Sequence, residues 1–142
     1  MSNIIYPVSA GASSHSERND CTVRALANAT GMHYADAHAL LSKHGRRFRR
    51  GAVFNVYHGA YVEAGLQLVG VYGSTKRARF AGRSAGLTSG EGITLGRLMP
   101  RLQRGRYVVL ITGHALAVVD GRIIDAGGQR AGSHVFALFR QP

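Results

Sequence analysis

The sequence predicts an α+β domain, with helices gathered towards the N-terminal side and a mostly antiparallel sheet after them. Three observations carry that prediction. Apolar residues first recur at helical spacing, in segments closed by Gly31 and Gly45. After Gly105 they form short runs rich in Val and Ile. Two of those runs are joined by Asp120-Gly121, the residue pair that favours a tight hairpin turn. The chain has 142 residues and is 45% hydrophobic, which suits a single domain over residues 1–142 with its own core.

Taken in order, residues 1–18 read as extended or irregular. Asn19 or Asp20 can cap a helix over about residues 20–30, which Gly31 ends. A second helix covers "YADAHALLSKHG", with Ala37, Leu40, Leu41 and His44 on one face and Gly45 as terminator. The basic stretch "RRFRRGA" reads as a loop. "FNVYHGAYVEAG" reads as a third helix despite its aromatic and β-branched residues, and "LQLVGVYG" as a strand. The stretch from Ser74 to Gly92, rich in Gly, Ser and Arg, has no clear periodicity and is expected to be a loop. Thr94 opens another helix with Leu95, Leu98, Met99 and Leu102 at core spacing. Its opposite face carries Arg97, Arg101 and Arg104 and is expected to be solvated. "RYVVLIT", "HALAVV", "RIID" and "SHVFALF" read as strands.

Lys and Arg number 18 against 7 Asp and Glu, a net charge of +11. Such a balance points either to an anionic partner, such as nucleic acid or a membrane surface, or simply to solubility. Eight of the 18 basic residues fall in two predicted loops: Arg46, Arg47, Arg49 and Arg50 in one, Lys76, Arg77, Arg79 and Arg83 in the other. Phe48 and Phe80 lie among them, placed either to stack on bases or to dock back on the core. No apolar run is long enough to cross a bilayer, and the first residues lack the basic and apolar regions of a signal peptide. A single cysteine forms no internal disulfide, and the seven histidines show no metal-ligand spacing, so no metal or cofactor is expected.

The cysteine itself is the most informative residue. Cys21 falls in the first turn of the first predicted helix. Unpaired backbone N–H groups and the positive end of the helix dipole stabilise a thiolate there, and the N–H of Cys21 can donate to an oxyanion. The alternative is an inert small hydrophobe. The hairpin supplies a base. With a two-residue turn at Asp120-Gly121, Val119 pairs with Arg122, Val118 with Ile123, Ala117 with Ile124 and Leu116 with Asp125. Alternation then puts His114, Leu116 and Val118 on one face with Asp125, the His114 and Asp125 Cβ atoms roughly 7 Å apart. Asp120 is explained by the turn. Thiol, imidazole and carboxylate in this order make a Cys-His-Asp constellation, in which His114 takes or holds the thiol proton and Asp125 orients the ring.

"RNDCTVRALANATG", then "YADAHALLSKHGR", then "GRYVVLITGHALAVVDGRIIDAG" resemble the papain-like cysteine peptidase superfamily, and more narrowly small single-domain proteins encoded by tailed bacteriophages. The resemblance covers the first and last thirds and leaves residues 66–92 outside. It implies N-terminal helices packed on a curled antiparallel sheet, with Cys21 as nucleophile, His114 as base and Asp125 as third member. It implies a hydrolase acting on a peptide, isopeptide or cell-wall amide. Many such enzymes carry a glutamine about six residues before the nucleophile as oxyanion donor. Here that position is His15; Ser16 and Asn19 are the nearest alternatives, and the amide of Asn19 is preferred. An inactive member of the same fold, serving as a basic virion or nucleic-acid-associated protein, is the rival reading. Both place the protein in a host cytoplasm or with a virion.

Overall fold

The computed structural model describes residues 4–5, 19–124 and 131–142. Among these, α1 (Cys21–Thr30), α2 (Tyr34–Lys43) and α3 (Phe54–Glu63) precede strand β2 (Gln67–Val71). Helix α4 (Lys76–Ala85), the short strand β3 (Ile93–Thr94) and helix α5 (Leu95–Leu98) come next. A 3₁₀ turn at Met99–Arg101 leads into β4 (Arg106–Ile111), β5 (His114–Val119), β6 (Arg122–Ile124) and β7 (His134–Gln141). Ile4–Ile5 form a short strand, β1. The α+β layout is therefore as expected from the sequence. The described strands form one sheet in the order β1-β6-β5-β4-β7-β2, with β3 beside β7. All pairings between neighbours in that order are antiparallel except β1 with β6.

Pleat alternation divides the sheet into two covered faces. Val108, Leu110, Ala115, Ala117, Ala137 and Phe139 point towards α1, α2, α3 and α4. Val109, Ile111, Leu116, Val118 and Leu138 point the other way, against Leu95, Leu98 and Leu102. Small residues at 115, 117 and 137 leave room for α1 to lie directly on β5 and β4. Two hydrogen bonds pin that helix. The Tyr61 hydroxyl donates to the Thr22 carbonyl at 2.7 Å, and the Arg106 guanidinium donates to the Ala29 carbonyl at 3.2 Å. Gly31 ends α1 in the left-handed conformation, φ 81°, as its place in the sequence implies.

The β5–β6 hairpin has the expected register: Val119 with Arg122, Val118 with Ile123 and Ala117 with Ile124. Asp120 and Gly121 both have positive φ, 49° and 80°, the signature of a type I′ turn. Two expectations fail. Residues 76–85 form a helix rather than a loop. Thr75 caps it by accepting the Ala78 N–H at 3.2 Å, and Gly86 closes it in the left-handed region, φ 69°. Its buried face is Ala78, Ala81 and Gly82, too small to register as an apolar stripe. The helix opened by Thr94 is only four residues long, because Pro100 brings no N–H to continue the α ladder and the chain tightens to a 3₁₀ turn. Among the described residues no helix is long and apolar enough to cross a membrane.

Candidate functional site

Cys21 is the first residue of α1. The first bond within that helix runs from the Arg24 N–H to the Asp20 carbonyl at 3.0 Å, so the N–H groups before it have no intrahelical acceptor. Neither candidate cap satisfies them. Asp20 occupies the N-cap position, but its side chain makes no capping bond. Its buried carboxylate instead accepts the Tyr34 hydroxyl at 2.8 Å and lies 3.2 Å from Arg24 Nε. Asn19 stands at positive φ, 54°, and its amide donates to the Arg49 carbonyl at 3.3 Å. That bond directs the proposed oxyanion donor to the 46–51 segment, and Asn19 is not among the residues that line the cleft around Cys21. The helix thus presents its first turn with backbone donors uncapped by either side chain, beside the thiol.

His114 opens β5 straight after the Thr112-Gly113 turn, where Gly113 has φ 72°. Its side chain is hydrogen-bonded to Cys21, and the thiol also accepts the Ala115 backbone N–H. That N–H lies on the side of β5 where the described pairing with β6 begins only at Ala117. Burial works to raise the Cys21 pKa. The two hydrogen bonds, with the positive charges of His114 and Arg24, outweigh it and hold the thiol below its ordinary value.

The pairing of thiol and imidazole is as the sequence suggested, but the geometry behind it differs. Leu116 and Val118, the residues expected to share a face with His114, lie in the cluster against Leu95 and Leu98, away from α1. Strict alternation would turn His114 the same way. It instead meets Cys21 from the first position of the strand, where the adjoining turn rather than the pleat sets its direction. Asp125 lies outside the described residues. Asp120 is accounted for by its turn: its carboxylate accepts the Gly105 N–H at 3.0 Å, and its own N–H donates to the Gly105 carbonyl at 2.9 Å.

Cys21 and His114 stand in the wall of a cleft of about 780 Å³. Val53, Phe54, Phe80 and Phe136 give it apolar sides. Lys76, Arg77, Arg79 and Arg83, all from α4, give it a basic rim, and no acidic residue lines it among the described residues. The two basic segments therefore have different fates. Arg77 and Arg79 share the cleft of the thiol. In the other segment, Arg46 is buried, its guanidinium turned towards the Asn19 carbonyl at 3.5 Å, which removes it from any exposed basic face. Arg47, Arg49 and Arg50 are exposed. Phe48 is exposed as well; its ring meets His38 edge-on at 6.4 Å and lies under the Arg49 guanidinium at 5.3 Å. Phe80 is anchored, edge-on to Phe54 at 5.8 Å.

Two residues of the cleft carried no sequence signal. Thr22 lines it with a buried hydroxyl that has no hydrogen-bond partner. Tyr57 lines it from α3. Burial pushes its hydroxyl well above the usual range, the Arg77 charge opposes that, and the Cys21 charge adds to it, so Tyr57 stays a neutral donor. Both read as ordinary helix-face residues in the sequence. Thr22 stands at the thiol by following it in α1, whereas only the folded position of α3 brings Tyr57 there. Among the described residues no three metal-ligating side chains converge. Comparison with protein-family models, curated proteins and solved structures finds no match.

Proposed function

We propose that this protein is a cysteine-dependent hydrolase of papain-like architecture, cleaving an amide through a thioester. The single observation that carries the reading is the Cys21 thiol at a helix N-terminus, hydrogen-bonded by His114 and held below its ordinary pKa in the wall of an open cleft. A serviceable nucleophile needs a thiolate near neutral pH, a proton carrier in contact with it and room for an acyl group. A thiol of lowered pKa, an imidazole in contact with it and an open cleft meet at one end of α1.

The chemistry follows from these positions. The Cys21 sulfur attacks the amide carbon, and a C–S bond forms as the carbonyl becomes an oxyanion. Backbone N–H groups of the first turn of α1, that of Cys21 foremost, stabilise the negative oxygen. His114 gives its proton to the departing nitrogen and the C–N bond breaks, leaving the thioester and a free amine. Water then attacks the thioester, His114 taking its proton. The C–S bond breaks, releasing a carboxylic acid and restoring the thiolate. Asp125 is the proposed third member, orienting the imidazole.

The test is the rate of alkylation by iodoacetamide against pH, for the native protein and for His114→Ala. A lowered pKa means that the thiolate survives to lower pH, so the native profile is expected to have its midpoint below the unperturbed value of about 8.5. Loss of His114 removes a hydrogen bond and a positive charge and is expected to move the midpoint upwards. If the two profiles coincide at the unperturbed value, the reading fails.

A further inference from the structure

The basic rim of the cleft and its apolar sides belong to the same space as the thiol, and together they specify what that space takes. Four cations from one helix, Lys76, Arg77, Arg79 and Arg83, face a cleft that no acidic residue lines among the described residues. None of the four joins an ion pair among the described residues; Arg79 donates only to the Ser74 carbonyl at 3.0 Å. Phe54 and Phe80, edge-on to one another, present an aromatic wall beside these charges. Arg77 is near enough for its charge to act on Tyr57, and the Cys21 charge acts on the same hydroxyl. The rim and the sulfur are thus both within electrostatic reach of one side chain.

We infer that the acyl donor is an acidic peptide, bound with an aromatic or large apolar residue against Phe54 and Phe80 and one or more carboxylates against α4. This rests on the cysteine-hydrolase reading and narrows its substrate. The same charges would attract single-stranded nucleic acid, but a nucleic acid offers the thiol no acyl carbon, and the thiol stands in the same cleft. Charge complementarity inside a partly enclosed, low-dielectric cleft also counts for more than on an open surface, because water screens it less.

The experiment uses two peptidyl chloromethyl ketones of equal length, each with phenylalanine next to the reactive carbon. One carries two glutamates and the other two glutamines. Labelling forms a bond from Cys21 sulfur to carbon and expels chloride. The acidic peptide is expected to label Cys21 about tenfold faster at low salt, equivalent to about 1.4 kcal/mol, with the preference shrinking as salt is raised. Arg77→Gln with Arg83→Gln is expected to abolish the preference. Arg97→Gln with Arg101→Gln, on the far side of the sheet, removes the same net charge and is expected to leave it intact. Equal labelling by both peptides, or equal loss of preference in both double variants, overturns the inference while a reactive thiol leaves the hydrolase reading standing. An oligonucleotide that blocks labelling more strongly than an unreactive acidic peptide overturns it in favour of nucleic acid. A thiol inert to both peptides and to iodoacetamide at neutral pH overturns the hydrolase reading, and the inference with it.

Discussion

Asp20 shows how one side chain can be misjudged from its position and still matter to the site. Before a helix, an aspartate ordinarily accepts backbone N–H groups. Here Tyr34 and Arg24 claim the carboxylate, and it is buried between them. That arrangement ties α2 to the residue preceding the nucleophile. It also leaves the backbone donors of the first turn free of a side-chain cap. Asp20→Ala removes the acceptor of the Tyr34 hydroxyl and the carboxylate beside Arg24, and is expected to cost about 2–3 kcal/mol in urea unfolding. Tyr34→Phe added to that variant should then cost less than Tyr34→Phe alone, because its bond to Asp20 is already lost. Two fully additive losses would mean that the hydroxyl and the carboxylate do not act as a pair.

At the scale of elements, the sequence was legible where local chemistry and tertiary packing agree. Asp120-Gly121 dictates both its turn type and the register of the strands it joins, and Gly31 ends α1 without help from distant residues. It was illegible where the information sits in what surrounds the segment. Helix α4 buries only alanine and glycine, so its inward face has no hydrophobic contrast with its neighbours, and four cations on ten residues read as a loop. The sheet face that the sequence predicts for His114 is not the one from which it meets Cys21, because the first residue of a strand answers to its turn. Asp125, the proposed third member of the site, lies outside the described residues. The close packing of α4 has a testable corollary. Within a helix, Gly→Ala ordinarily adds about 1 kcal/mol of stability. A Cβ on Gly82 would come within 2.7 Å of the Leu87 carbonyl oxygen, which the chain cannot withdraw without opening the helix C-terminus. Gly82→Ala is therefore expected to destabilise by about 1–3 kcal/mol, measured by thermal or urea unfolding. Stabilisation instead would mean that α4 does not close against Leu87 in this way.

For the molecule as a whole, the sheet carries the site: α1 lies on β5 and β4, and the imidazole comes from the end of β5. Strands covered on both faces open only with global unfolding. Amides at 108–110 and 116–118 are therefore expected to exchange slowest in native-state hydrogen exchange, and those of α4, at the cleft rim, much sooner. Equal protection throughout would show that the rim opens only with the core. One feature of the topology has a further effect during biosynthesis. β7 lies between β4 and β2, and it is the only described strand to which β2 hydrogen-bonds along its length. On a ribosome, β2 emerges early and waits, unpaired, while α4, α5 and three further strands of the sheet's other half are made. Its exposed edge is a point at which chaperones or neighbouring nascent chains can engage. Cys21 is translated long before His114, so the hydrogen bond and positive charge that lower its pKa reach the thiol only once β5 has joined the sheet.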